Sequence, residues 1–370
     1  MDVDDSIQAN GGFRGSMFVV FAFLGSLLVS ATFLHSLLPG VKVAVVSTKI
    51  EFLQSRRDQF DVFFVGTSRI HHQIIPALFD HLLLDAGVPT HSYNLGIDGL
   101  RTPEDYYVLE NALAGRRRPM RWIVLECKDI NLRMQDIDQG TIRSSYWHDS
   151  SRMWILVQKW IWGGFGMRST FPQHVRQIRD DGEVLEKHCG LYLQNELSVG
   201  ALSDLPSTLT QRSARPNVDK GDAVSFDGYL SKGNPTVVPA EAISYGEKLK
   251  KLKTKPATPD YGDWASQMLL RRERDLAAKY GAELVVVIPP TLKEIKFTPE
   301  PTVQPTIKLL DFDNPERYPE LFVIKNRRDE THLNEHGAEI WTRLLAQELI
   351  RLGHTAQHAS SSFPCATAPQ

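Results

Sequence analysis

Two stretches combine residue types and spacing that could do chemistry: Gly66-Thr67-Ser68-Arg69 and Asp329-Glu330-Thr331-His332. Serine is a poor nucleophile unless a base adjoins it. An Asp-x-x-His turn supplies such a base, because i, i+3 spacing in a turn lets both side chains point the same way. Asp329 then accepts the Nδ1 proton of His332 and leaves Nε2 free to take a proton from Ser68. Asn94-Leu95-Gly96 is a third feature, since a glycine there can bring its backbone N–H close to an oxyanion. Taken singly, each has an ordinary explanation: Ser68 as a turn former, Asp329 and Asn334 as helix-start residues, Gly96 as a turn glycine. His71 and His72 follow the serine closely and are candidates for substrate contact, as is Asn94. Arg69 is a candidate for an anionic substrate group, with a structural salt bridge as its alternative. No metal is expected, because His71 and His72 are adjacent and neither H-x-x-x-H nor H-E-x-x-H occurs. No phosphate-binding G-x-x-x-x-G-K-[ST] loop is present either.

The elements that must position these residues alternate. Asp61–Gly66 reads as a short buried strand, His91–Leu95 as a second, Trp122–Cys127 as a third, Glu283–Ile288 as a fourth and Leu321–Ile324 as a fifth. Between them, Pro76–Ala86 reads as a helix with Pro at its first turn and Gly87 past its end. Thr102–Ala114 reads as another, with Thr102 as N-cap and Pro103 first. Trp264–Tyr280 and Asn334–Leu352 complete the helices of the sheet. Strands separated by helices imply right-handed crossovers and a parallel sheet covered on both faces. The expected fold is therefore α/β, a three-layer α/β/α sandwich with a five-stranded parallel, flavodoxin-like sheet. Ligands of such sheets bind beyond the carboxyl ends of the strands, where all three chemical features fall. Residues at about 128–260 break the rhythm and read as a large insertion: an aromatic-rich helical stretch, Tyr146–Phe165, then polar sequence punctuated by Pro, Gly and Ser. Trp147, Trp154, Trp160 and Trp162 in that insertion fit sugar stacking, a membrane interface or plain packing.

In combination, GTSRIHHQIIP, YNLGIDG and DETHLNEHGAEIW resemble the SGNH (GDSL-type) hydrolase superfamily over about residues 60–130 and 280–350. They resemble in particular its membrane-anchored branch, with the D-alanyl-lipoteichoic acid proteins (DltD) and the alginate O-acetyltransferase proteins. The resemblance implies Ser68 as nucleophile, His332 as base, Asp329 as its orienting partner, and the N–H groups of Ser68 and Gly96 as oxyanion donors. Two blocks depart from the family pattern. Thr67 stands where the family has aspartate, and the G-x-N-D block is missing after the third strand, where Asn131 is the nearest side-chain substitute. The activity implied is that of a serine O-acyltransferase or esterase working through an acyl-serine, without a cofactor. The partners implied are an acyl donor, a carbohydrate acceptor in an exported polysaccharide or cell-envelope glycan, and a polytopic membrane O-acyltransferase. A lipase or esterase at the membrane surface and a non-catalytic polysaccharide-binding scaffold are the rival expectations.

Composition agrees with a globular domain on a membrane. The chain has 370 residues, 42% hydrophobic and 23% charged, enough for a large core. Lys+Arg 42 against Asp+Glu 44 leaves no basic excess for nucleic acid. Cys127, Cys189 and Cys365 are too few and too scattered for a disulfide framework. No Asp, Glu, Lys or Arg occurs from Gly15 to Val41, and roughly 20 apolar residues suffice to cross a bilayer. Residues 17–39 are therefore expected to form a single uncleaved transmembrane helix, the run being longer than a signal peptide's apolar region and lacking a small-residue cleavage site. Residues 1–16 and 356–370 read as disordered tails around a domain at 41–355, entered through a helical linker, Val41–Arg57. The cluster Lys42, Lys49, Arg56 and Arg57 argues for a cytoplasmic domain. The resemblance argues for an extracytoplasmic one on a single-pass cell-membrane anchor, and long folded domains translocate largely regardless of flanking charge.

Overall fold

The computed structural model describes residues 43–128, 130, 132, 142–162, 171–196, 226–237, 239–254, 263–292, 299 and 307–361, with isolated positions between 18 and 33. Its centre is a sheet of five strands, all parallel, in the order β2-β1-β3-β4-β5. The strands are β1 (Val62–Gly66), β2 (Ser92–Gly96), β3 (Trp122–Glu126), β4 (Glu283–Ile288) and β5 (Lys308–Asp311). Every residue of β1, β2 and β3 is buried, as a sheet with both faces covered requires.

The helices among the described residues are α1 (Ala44–Ser55), the one-turn α2 (Ser68–His71), α3 (Pro76–Asp85), α4 (Glu104–Leu113), α5 (Ser150–Trp162), α6 (Phe171–Glu196), α7 (Pro239–Thr254), α8 (Trp264–Lys279) and α9 (Glu335–Ser361). α3 starts at its proline, and α8 is capped by Asp263, whose carboxylate accepts from the N–H groups of Ala265 and Ser266 at 2.9 and 3.1 Å. One face of the sheet packs Val62, Phe64, Val124, Val285 and Val287 against Ile70, Phe79, Leu83, Trp341 and Leu345. The chain winds from β1 out to β2, then back across β1 to β3. The topological switch point therefore lies between β1 and β3, the place where open α/β sheets form their crevice.

Several sequence expectations are corrected. Leu321–Ile324 is not a strand. It belongs to two short 3-10 turns, Pro319–Phe322 and Ile324–Asn326, in which Leu321 and Phe322 are buried while Val323 is 40% exposed. The fifth strand is the short Lys308–Asp311. α4 begins at Glu104 with Pro103 at the cap position, because the Thr102 hydroxyl donates to the Asp105 carboxylate at 2.8 Å and so does not cap the helix. The polar stretch after Phe165 contains α6 and α7, and α9 runs past Leu352 to Ser361, into the expected C-terminal tail. Cys127 and Cys189 are free thiols.

The chain divides into two compact units. Residues 44–131, 158–178 and 217–370 make one and hold the sheet; residues 1–43, 132–157 and 179–216 make the other. In the second unit, His148 donates from Nε2 to His188 Nδ1 at 2.7 Å, and His188 Nε2 donates to the Leu132 carbonyl at 2.7 Å. Burial pushes the pKa of His148 down to about 3. Among the described residues no helix is long and apolar enough to cross a membrane. Most of the expected span at 17–39 lies outside those residues, as does Asn131.

Candidate active site

β1 ends at Gly66 because nothing larger fits there. A Cβ would stand 2.4 Å from Ile70 Cγ1 and 2.5 Å from Glu126 Oε2. Thr67 then caps α2, its hydroxyl accepting from the Arg69 N–H at 3.2 Å, and Ser68 is the first residue of the turn. The turn is held from β3. The Glu126 carboxylate accepts the Thr67 N–H at 2.6 Å, the Thr67 hydroxyl at 3.1 Å and the Arg69 guanidinium at 2.5 Å. Glu126 is completely buried, which favours protonation. The Arg69 and Lys128 charges and the Thr67 hydrogen bonds outweigh this and hold its pKa below the ordinary value.

Opposite Ser68 stands the loop 327–334. Arg327, wholly buried, donates to the carbonyls of Pro290, Leu321, Asp329 and Glu330 at 2.7–3.3 Å, using its rigid fork to pin the loop. Asn334 starts α9, its Oδ1 accepting from the Gly337 N–H at 3.0 Å. Between them, Asp329 Oδ1 accepts from the N–H groups of Thr331 (2.7 Å) and His332 (2.9 Å) and from the Thr331 hydroxyl (2.9 Å). This local turn places Asp329 Oδ2 2.8 Å from His332 Nδ1. His332 Nε2 in turn lies 2.8 Å from Ser68 Oγ. Partial burial favours the protonated acid at Asp329, but the His332 and Thr331 contacts outweigh it and keep its pKa well below the carboxylate range. The arrangement is a serine hydroxyl hydrogen-bonded to an imidazole that is itself oriented by an ionised carboxylate.

Gly96 and Asn94 occupy different roles from those expected. The Gly96 N–H donates to Asn94 Oδ1 at 2.9 Å, so it has no donor left for an oxyanion. Gly96 is small because α2 passes against it: a Cβ would meet His71 N at 2.3 Å. Asn94 is fully buried and spends its amide on the carbonyls of Ile70 and Ile74 at 2.8 and 2.7 Å, out of reach of substrate. Gly99, on the loop after β2, has φ +70; among the described residues the Ser68 N–H has no backbone partner. Arg69 makes the salt bridge, to Glu126, and its side chain remains 18% exposed.

His71 and His72 are buried and stacked, ring centroids 4.5 Å apart, and both turn to Asp98 on the β2 loop. His71 Nδ1 lies 2.9 Å from Asp98 Oδ1, and His72 Nε2 lies 2.8 and 2.9 Å from the two carboxylate oxygens. Burial lowers the His71 pKa to about 4. The two histidine hydrogen bonds hold Asp98 far below the carboxylate range although its burial acts the other way. Sequence adjacency argued against a metal at His71-His72, but Asp98 joins them in space as a three-ligand group. Beside this group, Lys49 on α1 is buried and donates to the carbonyls of Asn94, Gly96 and Gly228 at 2.8–2.9 Å. Burial brings its pKa down to about 7, against the pull of Asp98 and Asp227.

Glu126, Arg327 and Asp98 were not singled out in the sequence as site residues, and Lys49 was read only as one of the charges that follow the apolar run. Of these only Glu126 carried a usable signal, a carboxylate at the carboxyl end of an apolar strand. No protein-family model matches the chain, and no curated protein matches it.

Proposed function

We propose that the protein is a serine acyl-transfer enzyme, an SGNH-type O-acyltransferase or esterase, with Ser68 as nucleophile, His332 as general base and Asp329 as its orienting acid. The observation that carries this reading is the continuous hydrogen-bond chain from Ser68 Oγ through the His332 ring to Asp329, 2.8 Å at each link. Ser68 Oγ attacks the acyl carbonyl as its proton passes to His332 Nε2. His332 returns that proton to the departing alkoxide or thiolate, leaving an acyl-serine. His332 then takes the proton from water or a sugar hydroxyl as its oxygen attacks the acyl-serine, and returns that proton to Ser68 Oγ as the tetrahedral intermediate collapses and the Ser68–acyl bond breaks. The Ser68 N–H is the oxyanion donor in this reading, and Gly96, whose N–H is spent on Asn94, is not one.

The apolar run at 17–39 and the resemblance to membrane-anchored acyltransferases support an extracytoplasmic domain on a single-pass anchor. They also support a carbohydrate acceptor in the cell envelope and a polytopic membrane O-acyltransferase as the source of acyl groups. The non-catalytic scaffold remains a second reading, because the Gly96 N–H is spent on Asn94.

The test is intact mass of the full chain after exposure to an activated acetyl ester, beside Ser68→Ala. An acetyl adduct on the wild type alone supports the nucleophile. An adduct on both proteins moves it to another serine, and none on a folded wild type favours the scaffold.

A further inference from the structure

We propose that His71, His72 and Asp98 bind one divalent transition-metal ion of zinc-like preference, next to the nucleophile turn but separate from the triad. This inference does not depend on acyl chemistry at Ser68. Three donor atoms, two imidazole nitrogens and a carboxylate oxygen, lie within 4.8 Å of one another. Imidazole and carboxylate are ordinary zinc ligands, and three protein ligands with an open fourth position are a recurring form of zinc site. Zinc bonds of about 2.0–2.1 Å in tetrahedral geometry put neighbouring ligand atoms about 3.3 Å apart. Here the nitrogens stand 2.8–2.9 Å from Asp98, so an ion requires the carboxylate to back away by about 0.5 Å. The Asp98 side chain is 52% exposed, whereas both histidine side chains are buried, so the adjustment falls on the carboxylate.

His72 supplies an independent reason. Its Nδ1 faces the Leu230 carbonyl at 2.8 Å and must carry a hydrogen to bond there. In the neutral ring Nε2 is then a bare lone pair directed at a carboxylate, which is repulsive. Either a second proton or a metal ion between them removes the conflict. A backbone carbonyl on the far nitrogen is the outer partner that metal-bound histidines usually have, fixing tautomer and ring orientation. His71 Nε2 is buried with no hydrogen-bond partner, so nothing there holds a second proton on that ring. The Lys49 ammonium opposes a cation nearby, but its three N–H groups are absorbed by carbonyls, and Asp98 and Asp227 both lie close enough to offset its charge.

The test must separate a metal from a proton. The full chain in detergent is stripped with a chelator and equilibrated with Co²⁺ as a visible stand-in for zinc, with far-UV circular dichroism checking the fold. The expected result is one Co²⁺ per chain with tetrahedral d–d bands, and a thermal midpoint raised by Zn²⁺ but not by Mg²⁺. Asp98→Asn and His72→Gln should each weaken binding at least roughly tenfold, whereas His332→Ala should leave content and bands unchanged. Folded wild type that takes up no Co²⁺ or Zn²⁺ at micromolar concentration overturns the site and leaves a doubly protonated His72. Undiminished binding in both variants, or loss in His332→Ala, places the ion elsewhere and overturns it equally. If both variants unfold, the wild-type stoichiometry and its Zn²⁺-specific stabilisation decide alone.

Discussion

Glu126 can be removed as a charge almost without changing its shape, and Glu126→Gln should therefore be read before any other substitution. In the wild type its fully buried carboxylate touches the guanidinium of Arg69, whose side chain is 18% exposed, at 2.5 Å. Unit charges about 4 Å apart attract by roughly 4 kcal/mol at an effective dielectric near 20. Glutamine keeps an oxygen for the Thr67 N–H but leaves Arg69 facing a neutral amide, and breaking one side of a buried pair typically costs about 3–5 kcal/mol. The partial exposure of Arg69 places the expected loss at the lower end, about 3 kcal/mol. Arg69→Met together with Glu126→Gln removes both charges. The double mutant should then be less destabilised than the single losses summed, with a coupling of at least about 2 kcal/mol. Urea unfolding of the four proteins measures this, and the rate of phosphonylation at Ser68 measures whether the turn has moved. A misplacement of about 1 Å would cost roughly a hundredfold in that rate. A coupling under about 0.5 kcal/mol, with an unchanged phosphonylation rate, would refute the claim that Glu126 holds the nucleophile turn.

Three further outcomes are expected. Asp329→Asn should lower acyl turnover by about 10³–10⁴-fold, the amide no longer fixing the His332 tautomer; a fall of less than tenfold in a steady-state esterase assay would remove Asp329 from the triad. Gly96→Ala should destabilise by at least about 2 kcal/mol, since its Cβ meets backbone of α2 at 2.3 Å, and an unshifted denaturation midpoint would contradict that contact. Asp313 is raised to about 8 by burial, against the hydrogen bond from the Thr291 N–H. Its folded pKa exceeds the unfolded value near 4, so its contribution is full below about pH 4 and is lost as pH rises through about 8. Asp313→Asn should accordingly become more stable relative to wild type between those limits, by at most about 1.4 kcal/mol per pH unit; parallel stability curves for the two proteins would count against the shift.

The strands at β1, β2, β3 and β4 were legible because each is a short apolar run bounded by turn residues, and α3 because proline marks its first position. β5 was misplaced for a physical reason. Leu321-Phe322-Val323-Ile324 is as apolar as a strand, but Pro319 and the buried Arg327 and Asn326 fold it into 3-10 turns. The true edge strand, Lys-Leu-Leu-Asp, is short and half exposed and gives little alternation to read. Within the site, the meeting of Ser68, His332 and Asp329 was legible because the chemistry expected of them demands those residue types at characteristic places along an α/β chain. Gly96 was misread because spacing shows that a position must be small and cannot show whether helix or substrate approaches it. Glu126, Asp98 and Lys49 act through contacts across 26 to 179 residues of sequence, which no local pattern displays.

Ser68 and His332 are separated by 264 residues. At roughly 5–20 residues per second of synthesis, a newly made chain carries its serine for tens of seconds before its histidine exists. During that interval the serine is an ordinary hydroxyl. Under the proposed function the serine gains its base only once the Asp-x-x-His turn has been made, so a chain stalled or clipped before that turn carries the serine without the proposed triad.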